Sequence, residues 1–183
     1  MPLQEIKRLL IVSDLATPQV NGVVRTLDNL VVQFKKIGIA AEILTPNKFR
    51  TIGCPGYPEL RLSLTTAKRL ESMIRAINPD ALHIATEGPL GWAARKAALN
   101  NGWQFTTASQ TRLPEYMQAR LGIPGSWLYK ILRKFHSASS AVFAPTTAIK
   151  NNLLKSVSLT SFSGHTVLTI QFFILDRFKN QLM

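Results

Sequence analysis

The sequence predicts an α/β protein, a parallel sheet with helices on both faces. Three observations carry that expectation. Short β-prone runs alternate with helical stretches of ten or more residues. The helical stretches place apolar residues on one face and charge on the other. Gly, Pro and Asn punctuate the junctions between them. A length of 183 residues, 46% hydrophobic and 17% charged, suits one globular unit with one core.

Taken in order, Arg8 to Ser13 reads as a strand that ends at Asp14 and passes through Pro18 and Asn21-Gly22 into a helix. Val23, Leu27, Leu30, Phe34 and Ile37 recur at steps of three and four, with Arg25, Asp28, Lys35 and Lys36 opposite and Gly38 as the stop. Ile39 to Thr45 is the second strand, closed by Pro46. Thr66 to Ile77 carries Ala67, Leu70, Ile74 and Ile77 on one face, and Asn78-Pro79 ends that helix. Ala81 to Ala85 is a buried strand. Thr86 to Pro89 then forms a loop whose proline suits the first turn of a helix running to Asn101-Gly102. Phe105 to Ala108 is a further strand, followed by helices at Glu115 to Leu121 and Trp127 to His136, a strand at Ala141 to Ala144 and a helix from Thr146 to Lys155. No internal repeat or low-complexity tract interrupts this order.

The 22 Lys and Arg against 10 Asp and Glu leave a formal charge of +12, which excludes an acidic solvating protein and favours anionic partners, phosphate above all. A nucleic-acid binder rests on that charge alone, because no recognised nucleic-acid motif accompanies it. The single cysteine, Cys54, excludes a disulfide framework and a Cys-rich zinc site and reads as a loop thiol. Leu9 to Val12 is too short for a signal-peptide core, and Val167 to Leu175 is too short to cross a bilayer as a helix, so the expected location is cytoplasmic.

In a parallel sheet ligands gather at the carboxyl ends of the strands. The loops there are Asp14 to Gly22, Thr86 to Gly91 and Ser109 to Tyr116. The first delivers Gly22 to a helix start, where free N–H groups and the helix dipole favour an anion. A tight turn with Asn21 as helix cap explains the same residues. The spacing fits neither the dinucleotide fingerprint nor the P-loop. His83, inside a strand, reads as a hydrogen-bonded core residue more readily than as a catalyst. Glu87 sits where a carboxylate can meet sugar hydroxyls or cap the helix that starts at Pro89. Gln110, Thr111, Arg112, Glu115 and Tyr116 form the third loop, with a solvated loop and a capped helix as the alternative reading.

Several ordered blocks together resemble the N-terminal domain of glycosyltransferase family 4 enzymes of GT-B architecture, nearest to the bacterial α-mannosyltransferase-like and lipid-glycosylating branch. They are P-Q-V-N-G-V-V-R-T-L at Pro18 to Leu27, P-G-Y-P-E-L-R-L at Pro55 to Leu62, P-D-A-L-H-I-A-T-E-G-P-L-G-W-A-A-R at Pro79 to Arg95, T-R-L-P-E-Y at Thr111 to Tyr116 and R-K-F-H at Arg133 to His136. The resemblance spans residues 7 to 155 and implies a Rossmann-like sheet, the N-terminal half of a GT-B fold. It also implies a hexosyltransferase that moves a sugar, with retention and without metal or other cofactor, from a nucleotide-diphospho-sugar to a lipid or carbohydrate acceptor. Most donor recognition would lie in a second half. Gly22, with Asn21, would meet the donor diphosphate. Asp14, Thr111, Arg112, Glu115 and Tyr116 would line the acceptor side, and Glu87 and Gln110 would stand at the catalytic positions. The basic surface would suit an anionic lipid at the inner face of the membrane, although Lys130, Arg133 and Lys134 read equally as a solvated helix face.

Two departures stand out. Where the branch reads Y-H-T-x-F-P-E-Y, this chain has Ser109 to Tyr116 with Gln110 at the histidine position, and glutamine hydrogen-bonds but does not titrate near neutral pH. After Lys155 the family pattern stops, which divides the chain into a domain of residues 1–155 and a non-family tail of residues 156–183. Allowed codons for Ser163 to Leu168 spell W-S-H-G-V-D in the neighbouring frame, close to the W-S-R-G-V-D expected at this family's interdomain crossing. A frameshift near Lys155 is the resulting expectation, tested by sequencing the gene beyond that codon. The chain is then expected to be inactive alone. The competing expectation is a non-catalytic binding module for anionic lipid or phosphosugar.

Overall fold

A computed structural model describes residues 6–16, 22–54, 57–109, 124–144, 146–149, 151 and 166–169. The chain divides into two compact units, residues 1–105 and 106–183. The expected helix at Glu115 to Leu121 lies outside the described residues, as does half of the helix expected from Thr146 to Lys155.

The first unit is built on β1 (Arg8–Val12), which runs parallel to β2 (Ala40–Leu44) on one side and to β5 (Ala81–Ile84) on the other. Leu10, Ile11 and Val12 are all essentially inaccessible, as expected of a strand covered on both faces. Asp80 ties the strand starts together: its carboxylate accepts from the Lys7 and Arg8 N–H groups at 2.9 and 2.8 Å. Those two bonds, Arg8 first, hold its pKa below the ordinary value.

Helix α1 (Gly22–Lys36) packs Val23 and Leu27 onto Ile11 and Ala85, with Leu30 and Val31 at the margin of that cluster. Gly38, at φ +78°, ends it with a left-handed residue as its position in the sequence demands. In α2 (Ala67–Ile77), Thr66 caps the start by accepting from the Arg69 N–H at 3.3 Å, and Asn78 at φ 49° closes the end. Leu70 and Ile74 form its buried stripe. Helix α3 (Pro89–Asn100) buries Ala94, Ala97 and Ala98, small residues that permit close packing.

Between β2 and α2 lies a hairpin absent from the sequence expectation, β3 (Arg50–Cys54) against antiparallel β4 (Tyr57–Leu64), with a register shift between Gly53 and Cys54. The alternation of Leu60, Leu62 and Leu64 with polar residues is its sequence signal. Cys54 accordingly belongs to a strand and is half-buried, which corrects its reading as a loop thiol.

The second unit contains β6 (Thr106–Ala108), α4 (Gly125–His136), β7 (Ala141–Ala144) and β8 (Thr166–Thr169). The three strands are parallel in the order β6-β7-β8, so the segment expected to lie outside the family pattern supplies β8. Leu132, Phe135 and His136 form the buried face of α4. The architecture is α/β and Rossmann-like.

Candidate functional site

Where β1 ends, Ser13 bends the chain. Its hydroxyl donates to the Leu15 carbonyl at 2.9 Å and accepts from the Leu15 N–H at 3.1 Å. This turn brings the buried Asp14 side chain against the loop that follows β5. The Asp14 carboxyl accepts from the Thr86 hydroxyl at 2.8 Å and from the N–H groups of Leu90 at 2.7 Å and Gly91 at 3.1 Å. Thr86 reciprocates by accepting from the Asp14 N–H at 2.6 Å.

The first turn of α3 therefore receives its acceptor, a carboxyl, from within the chain, 76 residues away. The N-cap position is Gly88 and the side chain that receives the free N–H groups is Asp14, which corrects the alternative reading of Glu87 as the cap. Two glycines make this possible. A Cβ at Gly88 would collide with the Asp14 carboxyl, and one at Gly91 with the Thr86 carbonyl oxygen. Burial pushes the Asp14 pKa up, and the bonds from Leu90, Thr86 and Gly91 oppose that shift.

Glu87 follows directly in the same loop and is half-buried. Its backbone lies between Thr86 and Gly88, whose hydroxyl and backbone N–H respectively donate to the Asp14 carboxyl. His83 is half-buried on β5, where desolvation lowers its pKa to about 4. It is neutral at pH 7, in keeping with a core role.

Gly22 differs from the other two glycines. It is exposed at the start of α1, and among the described residues a Cβ there would meet nothing within 4 Å. The first turn of α1 holds no acidic residue, and Arg25 on that turn is exposed. Asn21, Gln110, Thr111, Arg112, Glu115 and Tyr116 lie outside the described residues.

The second unit holds a buried polar cluster that sequence reasoning missed. The Thr107 hydroxyl lies 2.9 Å from His136 Nδ1 and donates to the Ser139 hydroxyl at 3.1 Å. Ser139 in turn donates to the His136 carbonyl at 2.8 Å. All three residues are fully buried. The only signal in the sequence was His136 itself, an ionisable residue beside the apolar stripe of its helix.

A cleft of about 480 Å³ opens at the other end of β5, among Ile74, Arg75, Asp80, Leu82 and Trp103. Arg75 is already engaged there by Glu71 at 3.1 Å, by Asn101 and by the Trp103 ring at 5.1 Å. Its location at the amino end of the strand also sets it apart from the ligand-binding edge of such sheets. Among the described residues no group of three or more His, Cys, Asp or Glu could hold a metal ion.

A family model, Glycosyltransferase Family 4, matches residues 20–160, more than half of the chain. The chain belongs to glycosyltransferase family 4. Among curated relatives of this family 4 chain, a GDP-mannose-dependent alpha-mannosyltransferase of Mycobacterium tuberculosis is 24% identical over 169 residues, covering 80% of this chain and 44% of the relative. A sulfoquinovosyl transferase of Arabidopsis thaliana is 26% identical over 152 residues, covering 74% of this chain and 29% of the relative. A second GDP-mannose-dependent alpha-mannosyltransferase, from Mycolicibacterium smegmatis, is 21% identical over 164 residues. The family 4 chain spans less than half the length of the curated relatives it matches. No helix among its described residues is long and apolar enough to cross a membrane.

Proposed function

We propose that this chain is the acceptor-side half of a glycosyltransferase that moves a sugar from a nucleotide-diphospho-sugar to a lipid or carbohydrate acceptor. The donor diphosphate meets the start of α1, and Glu87 faces the acceptor. The observation that carries this reading is the contrast between two helix starts. At α3 the free N–H groups are taken by Asp14, whereas α1 begins with an exposed glycine, lacks acidic residues in its first turn and adds Arg25. Family membership supplies the chemistry, and the GDP-mannose named for two relatives supports a nucleoside-diphosphate donor. By resemblance most of the donor site belongs to a second half, so the 183 residues alone transfer no sugar.

Titration of the isotope-labelled chain with GDP tests the diphosphate site directly by amide chemical shifts. The expected result is perturbation centred on Gly22 to Arg25. Perturbation centred on Leu90 and Gly91, or none at all, refutes the assignment. Turnover of GDP-mannose by the purified chain would refute its inactivity.

A further inference from the structure

The cleft at the amino end of β5 takes no part in the proposed transfer, and its walls are firmly held. It lies wholly within the first unit, and two left-handed residues shape it. Asn78, at φ 49°, turns the chain out of α2. Gly102, at φ 66°, turns it out of α3, and the Trp103 backbone N–H then donates to the Ala98 carbonyl at 2.9 Å. Arg75 clamps the two helix ends together: it donates to Glu71 at 3.1 Å and to Asn101, and its guanidinium lies over the Trp103 ring. Trp103 is nevertheless only half-buried, and it lines the cleft beside Ile74, Pro79 and Leu82. Three exposed polar side chains share that lining. Asp80 uses only Oδ2 to accept from the Lys7 and Arg8 N–H groups, and among the described residues no hydrogen bond reaches its Oδ1 or the side-chain amides of Asn78 and Gln104.

The chemistry of these groups selects a ligand. Asn and Gln amides both donate and accept and a carboxylate oxygen accepts, a set that matches the hydroxyls of a sugar. The indole and the aliphatic lining suit the apolar C–H face of the same ring. Charge argues against an anion, because Arg75 is already paired with Glu71 and the other charged group on the lining is the Asp80 carboxylate. The volume, about 480 Å³, falls in the range of small-ligand sites. We infer that this cleft, with Asn78, Asp80, Trp103 and Gln104, is a non-catalytic saccharide site for a neutral sugar. It lies at the opposite end of β5 from the loop that carries Glu87. The inference stands apart from the proposed function, since binding here needs neither donor nor transfer.

Titration of the isotope-labelled 183-residue chain with methyl α-mannoside, maltose or maltotriose, each to roughly 50 mM, tests it by amide and indole N–H shifts, a range that reveals millimolar binding. Shifts centred on Gly102 to Gln104 and on the Trp103 indole are expected from at least one of the three sugars. Combined Asn78→Gly and Gln104→Ala keeps a residue suited to the left-handed end of α2 and changes an exposed side chain, so the fold is left in place. It should weaken the binding by about fivefold or more. Inorganic phosphate at the same concentration should leave these resonances where they are. No shift with any of the three sugars overturns the inference, as do shifts centred on Gly22 to Arg25 or on Leu90 and Gly91. Undiminished binding by the double variant, or matching shifts from phosphate, overturns it equally. Loss of the GDP response with the sugar response intact would instead count against the proposed function alone.

Discussion

The loop after β1 and the loop after β5 both lead from a parallel strand into a helix, yet their glycines serve opposite ends. Gly88 and Gly91 are glycines because other atoms of the chain occupy the space a side chain would need. A Cβ at Gly22 would meet no atom of the described residues within 4 Å. The difference separates a junction that the protein completes with its own Asp14 from one where, on the proposed reading, the donor diphosphate is received. It also explains why motif spacing alone left the two roles tied: both loops offer a glycine near a helix start.

The largest effect is expected from Gly91→Ala. The colliding atom is a backbone oxygen at the head of α3 and has no flexible side chain to swing away. Urea denaturation should report a loss of about 4 kcal/mol or more, or failure to fold. A loss below about 1 kcal/mol would mean that the β5–α3 junction relaxes freely, and the comparison would fail.

Asp14→Ala comes next. It leaves the Leu90 and Gly91 N–H groups without their acceptor in a buried site, and a loss of about 2–4 kcal/mol is expected in the same measurement. Asp14→Asn adds a pH signature. Burial raises the native pKa above the unfolded one, so the native state holds the proton more tightly. The stabilisation linked to Asp14 is complete below its unfolded pKa and is lost as the pH rises through the raised native value. The stability difference between wild type and Asp14→Asn should therefore shrink or reverse with rising pH across that window. His83 gives the opposite slope. Its native pKa near 4 lies below the unfolded value, so its contribution is present above about pH 6.5 and is lost as the pH falls towards 4. His83→Leu should flatten that acid limb in thermal melts.

Much of the fold could be read directly. The apolar run of β1, the stripe of α1 with Gly38 behind it, and the Thr66 and Asn78 boundaries of α2 are local signals, each decided within a few residues. The β3–β4 hairpin escaped because its first strand, Arg50–Cys54, alternates weakly and carries a glycine, Gly53, next to its end. The Asp14 cross-link escaped for a different reason. Its partners lie up to 77 residues downstream, and nothing in the spacing of either segment says that the end of β1 reaches the start of α3. In the structure Asp14 is a buried carboxyl engaged with the chain's own backbone. Thr107 and His136 were hidden in the same way, 29 residues apart on a strand and a helix. Thr107→Val should cost about 1–3 kcal/mol by depriving buried His136 Nδ1 of that partner.

The smallest effect on stability is the most informative about function. Gly22→Ala meets no atom of the described residues and replaces the poorest non-proline helix former with the best, so the unfolding free energy should stay within about 1 kcal/mol of wild type. The amide shifts that GDP induces at the start of α1 should nevertheless weaken, because a methyl group there stands in the way of a phosphate approaching the backbone. Loss of stability without loss of ligand response would make Gly22 a structural glycine like Gly88 and Gly91, and the two loops would then differ only in where their collisions lie. Preserved stability with a weakened response would show that the first glycine of this sheet is kept for something the chain does not itself contain.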